Sequence, residues 1–86
     1  MRVAVLASGR GSNFQSILDA SERGDLPNCE IKLLIVNRIE AYAIERAKKH
    51  NIPYYIVESK NKKRHNFDQE MIEILKSNQI EIVVLA

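Results

Sequence analysis

Apolar positions come in short runs, each closed by a polar or glycine-bearing stretch. Residues 2–7, RVAVLA, form a β-rich run that breaks at Ser8-Gly9-Arg10-Gly11-Ser12, the pattern of a strand followed by a tight turn. From Asn13 the spacing turns helical. Phe14, Ile17, Leu18 and Ser21 recur at three- and four-residue steps, and Ser12 with Gln15 three residues later has the form of a capping box. The expected helix covers about residues 13–23, with Gly24 as its stop and residues 25–28, which include Pro27, as a surface turn.

Residues 30–36 give a second strand whose centre, Leu33 to Val36, is apolar without alternation, as in a strand covered on both faces. Residues 40–50 are expected to be helical, with Tyr42, Ala43, Ile44 and Ala47 on a buried stripe. Lys48, Lys49 and His50 suit the negative end of that helix, and Asn51 is its expected stop. Residues 53–57 read as a third strand, opened by a proline where a strand tolerates one. Over residues 64–78, Phe67, Met71, Ile74, Leu75 and Asn78 repeat at helical steps, and residues 80–86 form a fourth strand.

The order β-α-β-α-β-α-β predicts an α/β fold: a Rossmann-like parallel sheet of four strands with three helices, half of a doubly wound arrangement. The expected strand order is 3-2-1-4. Ligands then sit beyond the carboxyl ends of strands one and four, where the winding reverses. The sequence stops at Ala86, the carboxyl end of strand four, so residues 1–86 are expected to be the amino-terminal part of one domain, truncated there and leaving half of the ligand crevice.

Composition narrows the function. Eighty-six residues allow a single domain, and 45% hydrophobic with 28% charged residues is far from a disordered composition. No apolar run approaches the roughly 18 residues of a membrane span, and residues 3–7 are too short for a signal-peptide core, so a soluble chain without a targeting segment is expected. Cys29 is the single cysteine, which excludes an internal disulfide or thiolate metal cluster and fits a reducing, cytoplasmic setting. Thirteen basic against eleven acidic residues leave a net charge of +2, too balanced to imply a polyanion partner.

The glycine loop carries the candidate chemistry. Gly9 and Gly11 let the backbone turn sharply and come close to a bound group, and the first amides of the following helix point toward an anion. Phosphate fits. Alternatively, the glycines only make the turn and Ser12 only caps. Phe14 stands where the third glycine of G-x-G-x-x-G would be, and Asn37 where an acid holds a ribose, which argues against ordinary NAD binding. Arg38, as a reader of a 2′-phosphate, keeps an NADP-binding or other nucleotide-binding module as an alternative. The Walker pattern fails because no Gly-Lys-Ser/Thr follows. If close backbone approach to a ligand is the purpose of Gly11, a bulky replacement should abolish phosphate binding and leave the fold intact.

Several motifs together resemble a known family. S-G-x-G-S-N after the first strand, V-N-R after the second, A-x-x-x-x-R-A-K through Arg46 and Ala47, R-x-x-F-D-x-E from Arg64 to Glu70 and a closing I-V-V-L-A are similar to the phosphoribosylglycinamide formyltransferases. The resemblance covers the whole chain. It implies formyl transfer from 10-formyltetrahydrofolate, as co-substrate, to the amine of glycinamide ribonucleotide in purine synthesis. Gly11, Ser12 and Asn13 match the family's substrate phosphate-binding residues, in agreement with the anion argument, and Arg64 matches a position used on the folate side. Catalysis in the family is assigned to an asparagine, a histidine and an aspartate downstream of I-V-V-L-A, so no catalytic residue is expected within residues 1–86 and the chain alone is expected to be inactive. The expected chemistry is direct amine attack on the formyl group, without a metal.

Other candidates read as structural. His50 and His65 are expected to be exposed polar residues, Cys29 an inert thiol, and Asp68, Glu70 and Glu73 a solvated helix face, with Asp68 a possible brace for Arg64. Tyr54 and Tyr55 alternate across a strand as packing and edge residues. Lys60, Lys62, Lys63 and Arg64 could meet nucleic acid, but no aromatic interleaving or recognition motif accompanies them. Neither nucleic acid nor membrane is an expected partner. Strand four would present an open edge, which invites self-association.

Overall fold

In a computed structural model of the chain, the described residues are 1–7, 9–38, 41–58 and 63–86, with the side chains of Arg64 and His65 outside that description. The elements are β1 (Arg2–Ala7), α1 (Ser12–Glu22), β2 (Glu30–Val36), α2 (Ala43–Lys49), β3 (Tyr54–Ile56), α3 (Arg64–Ser77) and β4 (Ile82–Leu85). All three strand pairings are parallel and the order is β3-β2-β1-β4, as the alternating pattern requires. Among the described residues no helix is long and apolar enough to cross a membrane.

Each face of the sheet owns a separate core. Val3, Val5 and Ala7 of β1, with Ile31, Leu34 and Val36 of β2, pack against Phe14 and Leu18 of α1 and Ala43, Ile44 and Ala47 of α2. Ala4, Leu33 and Ile35 face the other way, toward Phe67, Met71, Ile74 and Leu75 of α3. Phe14, Leu33 and Leu34 are fully buried. The uninterrupted apolar run of β2 is thus satisfied by helices on both sides.

A bulge sets which β2 residue faces which core. Val3 pairs with Ile31, but Ala4 pairs with Leu33, so Lys32 is the extra residue. Without it Ile31 and Leu33 would share a face. With it Ile31 joins Leu34 and Val36 on the α1–α2 side. Lys32 lies 2.8 Å from Glu30, and this bond, reinforced by charge, holds the Glu30 carboxyl below its ordinary pKa.

All three helices end alike. Gly24 (φ 82°), Asn51 (φ 60°) and Gln79 (φ 55°) are left-handed, and each donates its amide to a carbonyl three residues back. The next amide in each case reaches five residues back: Asp25 to Ala20, Ile52 to Ala47 and Ile80 to Leu75. These are Schellman stops. Gly24 and Asn51 act as the sequence pattern predicts; Gln79 carries no such signal.

Several sequence expectations need correction. Ser12 does not cap α1. Gly11 is the cap residue, in a left-handed conformation and with no side chain of its own to cap the helix, and Ser12 opens the first turn. Tyr42 is 56% exposed rather than on the buried stripe, because α2 starts only at Ala43. Of its expected earlier residues, Glu40 lies outside the described set. The regular parts of β3 and β4 are shorter than expected, although Pro53, Val57, Glu81 and Ala86 still contribute backbone bonds at their ends.

Candidate functional site

The loop after β1 is shaped by two glycines and backed by α2. Gly9 and Gly11 both have positive φ, 68° and 72°, which a side chain would strain. The Gly9 carbonyl accepts from the Ala43 amide at 3.4 Å, and the Arg10 carbonyl accepts from Arg46 Nε at 2.9 Å. Two successive loop carbonyls are therefore turned toward α2. Every described peptide is trans, and in a trans peptide the N–H opposes the C=O. The Arg10 and Gly11 amides consequently face away from α2.

The amides of α1 continue this array. Its first helical bond runs from the Gln15 amide to the Gly11 carbonyl at 2.9 Å, so the amides of Gly11, Ser12, Asn13 and Phe14 precede the helical ladder. The first turn holds no acidic residue, and Ser12 and Asn13 are exposed. Arg10 is in the loop, and a Cβ built on Gly9 would lie 3.6 Å from an Arg38 guanidinium nitrogen. Successive backbone donors at a helix start, with Arg38 nearby, have the chemistry to accept an anion. Each charge-assisted bond contributes roughly 1.5–3 kcal/mol before ordering costs are subtracted.

The reason for glycine at position 11 differs from the expectation. Gly11 is buried, and a Cβ there would stand 2.6 Å from the Ala43 Cβ and 2.9 Å from its Cα. Glycine is thus required here by the close approach of the start of α2. A bulky residue would therefore damage the fold itself. Phe14, at the third-glycine position of the dinucleotide pattern, is 0% exposed in the α1–α2 core.

A polar seam joins α1 to α2, and the sequence reading missed it. Arg46 Nη1 donates to Gln15 Oε1 at 3.2 Å, and the guanidinium lies 5.1 Å from the centre of the Tyr42 ring. Gln15 Nε2 donates to Asp19 at 2.9 Å and lies 3.3 Å from His50 Nε2, while His50 Nδ1 lies 2.7 Å from Glu22. His50 is half-buried in this seam, not the exposed residue expected, and lies on the opposite side of the sheet from α3. Gln15, Asp19 and Glu22 share one stripe of α1, and Arg46 and His50 are four apart on α2 and its cap. That spacing was the available signal.

At the carboxyl ends of the strands lies an apolar crevice of about 260 Å³, lined by Leu6, Ala7, Asn37, Leu85 and, from α3, Phe67 and Met71. It occupies the switch point between β1 and β4. Arg64 begins α3, but its side chain lies outside the described residues, as does that of His65. Lys60 and Lys62 are also outside them. Asp68 and Glu73 are exposed and Glu70 half-buried, and no cluster of metal-ligating side chains exists among the described residues.

Comparison with known proteins places this geometry in a lineage. The model of the formyl transferase family matches residues 1–86. A phosphoribosylglycinamide formyltransferase of Haemophilus influenzae is 37% identical over 86 residues, covering 99% of this chain and 40% of that protein. The crystal structure of phosphoribosylglycinamide formyltransferase from Bacillus halodurans superposes with a TM-score of 0.94 at 39% identity, over the whole of this chain and 44% of its own. Glycinamide ribonucleotide transformylase 1 from Geobacillus kaustophilus gives 0.92 at 42% identity, over 98% of this chain and 45% of its own. The chain thus spans less than half the length of these relatives. It belongs to the formyl transferase family.

Proposed function

We propose that this chain supplies the substrate-phosphate side of a glycinamide ribonucleotide formyltransferase. The Gly11, Ser12 and Asn13 amides bind the ribonucleotide's phosphate, with the Ser12 hydroxyl as a further donor. The formyl donor is 10-formyltetrahydrofolate, a co-substrate that enters from the α3 side, with Arg64 as a folate-side contact. The observation that carries the reading is the loop itself: two carbonyls drawn back onto α2 and a run of amides left outside the α1 ladder, in a chain whose entire length matches the family.

The substrate's position follows from these parts. A phosphate on the α1 amino terminus anchors the ribonucleotide at the carboxyl end of β1, so that the glycinamide amine extends toward the switch-point crevice. The apolar crevice walls, among them Leu6, Phe67, Met71 and Leu85, line that end. Transfer itself is attack of the amine on the formyl carbon with loss of a proton from nitrogen, and the residues that stabilise the oxyanion are not among those of the described crevice. Residues 1–86 alone therefore bind phosphate and do not turn over.

Competition calorimetry tests this. Glycinamide ribonucleotide should bind saturably to the 86-residue chain and be displaced by inorganic phosphate, whereas NADP should not compete better than phosphate. Binding of NADP with higher affinity than the ribonucleotide would transfer the loop to a dinucleotide. Affinity for RNA that falls steeply with salt would instead favour the nucleic-acid reading.

A further inference from the structure

The amide array depends on a residue that does not belong to it. We propose that Arg46 is the positioning residue of the glycine loop: its grip on the Arg10 carbonyl turns the Arg10–Gly11 peptide so that the Gly11 amide faces the phosphate. The inference rests on the phosphate reading above and concerns how the loop is held.

Four observations support it. The peptide in question joins Arg10 to the left-handed Gly11, one residue after the left-handed Gly9, where backbone alternatives are many and an unrestrained peptide plane can turn over. Its carbonyl has one described partner, Arg46 Nε at 2.9 Å, while the neighbouring tie from Ala43 to Gly9 is longer at 3.4 Å. The guanidinium is itself fixed before any ligand arrives, by Gln15 Oε1 at 3.2 Å and by the Tyr42 ring beneath it. Finally, a carbonyl oxygen turned toward a phosphate would repel it, so holding this one on α2 removes a repulsion as well as presenting a donor.

The fork geometry distinguishes arginine from lysine here. Nε serves Arg10 while Nη1 serves Gln15, two acceptors on two different elements met by one rigid plane. An ammonium keeps the charge but has no second nitrogen held at that angle. The role is thus one of orientation, and charge alone does not restore it.

The test compares the wild-type chain with Arg46→Met and Arg46→Lys. The carbonyl ¹³C resonance of Arg10 in the free chain reports the peptide's tie, and titration with inorganic phosphate, followed at the Gly11, Ser12 and Asn13 amides, reports the consequence. In Arg46→Met the Arg10 resonance should move and phosphate affinity fall about tenfold; Arg46→Lys should show the same displaced resonance and regain less than half of that loss on a logarithmic scale. If Arg46→Met fails to fold, Arg46→Lys carries both measurements. Wild-type binding with unchanged affinity in the variants, or full restoration by lysine, overturns the positioning role and leaves the phosphate site standing. A wild-type chain whose loop amides do not respond to phosphate overturns the site reading, and with it the purpose assigned to Arg46.

Discussion

Replacing Gly11 with alanine puts the loop's construction under direct strain. At φ 72° a Cβ raises the backbone energy by roughly 1–2 kcal/mol. The same Cβ would stand 2.6 Å from the Ala43 Cβ and 2.9 Å from its Cα, so α2 must move, and overpacking of this kind costs about 1–3 kcal/mol more. The sum, about 2–5 kcal/mol, is a large share of the roughly 4–13 kcal/mol expected for a domain of this size. Two internal controls separate the contributions. Among the described residues, Gly24 (φ 82°) has nothing within 4 Å of a built Cβ, and Gly9 meets the flexible end of Arg38 at 3.6 Å. Gly24→Ala and Gly9→Ala should each cost about 1–2 kcal/mol, the backbone contribution alone. Urea denaturation of the three variants at fixed temperature reads the difference. Equal losses at positions 11 and 24 would refute the close packing of the loop on α2.

Other perturbations address the core, the acid limb, the open edge and the chemistry. Phe14→Ala should destabilise by about 3–5 kcal/mol in the same urea assay, since it empties a fully buried site between α1 and the sheet. Glu30 has a folded pKa below its unfolded one, so its small contribution is present above the unfolded pKa and is lost as pH falls through the folded value; Glu30→Gln should flatten that acid limb in stability against pH. Leu85 is 80% exposed on β4, whose outer side pairs with no described strand, and Leu85→Lys is expected to reduce concentration-dependent association in sedimentation velocity. A folate absorbance assay on the 86-residue chain should record no formyl transfer, and measurable turnover would show that these residues contain a catalytic group.

What the sequence makes legible is what local pattern determines. Helical spacing in α1 and α3, the unbroken apolar centre of β2 and the punctuation by Gly24 and Asn51 lead to the observed order β3-β2-β1-β4, because parallel crossovers leave few alternatives. The Lys32 bulge is not legible, since it depends on how β2 registers against β1. Ser12 and Gln15 have the spacing of a capping box, yet Gly11 takes the cap position because only glycine meets both the positive φ and the contact with Ala43. That the turn after β1 needs glycines can be read from the sequence. The tie from Arg46 to the Arg10 carbonyl cannot, because the two residues lie thirty-six apart along the chain and meet only in three dimensions.

The most direct measurement is a crystal structure of the chain soaked with glycinamide ribonucleotide. Phosphate oxygens within hydrogen-bonding distance of the Gly11, Ser12 and Asn13 nitrogens, with the Arg10 carbonyl still on Arg46, is the outcome this account predicts. A ribonucleotide bound elsewhere, or a loop that shows no ligand density at saturating concentration, would contradict it.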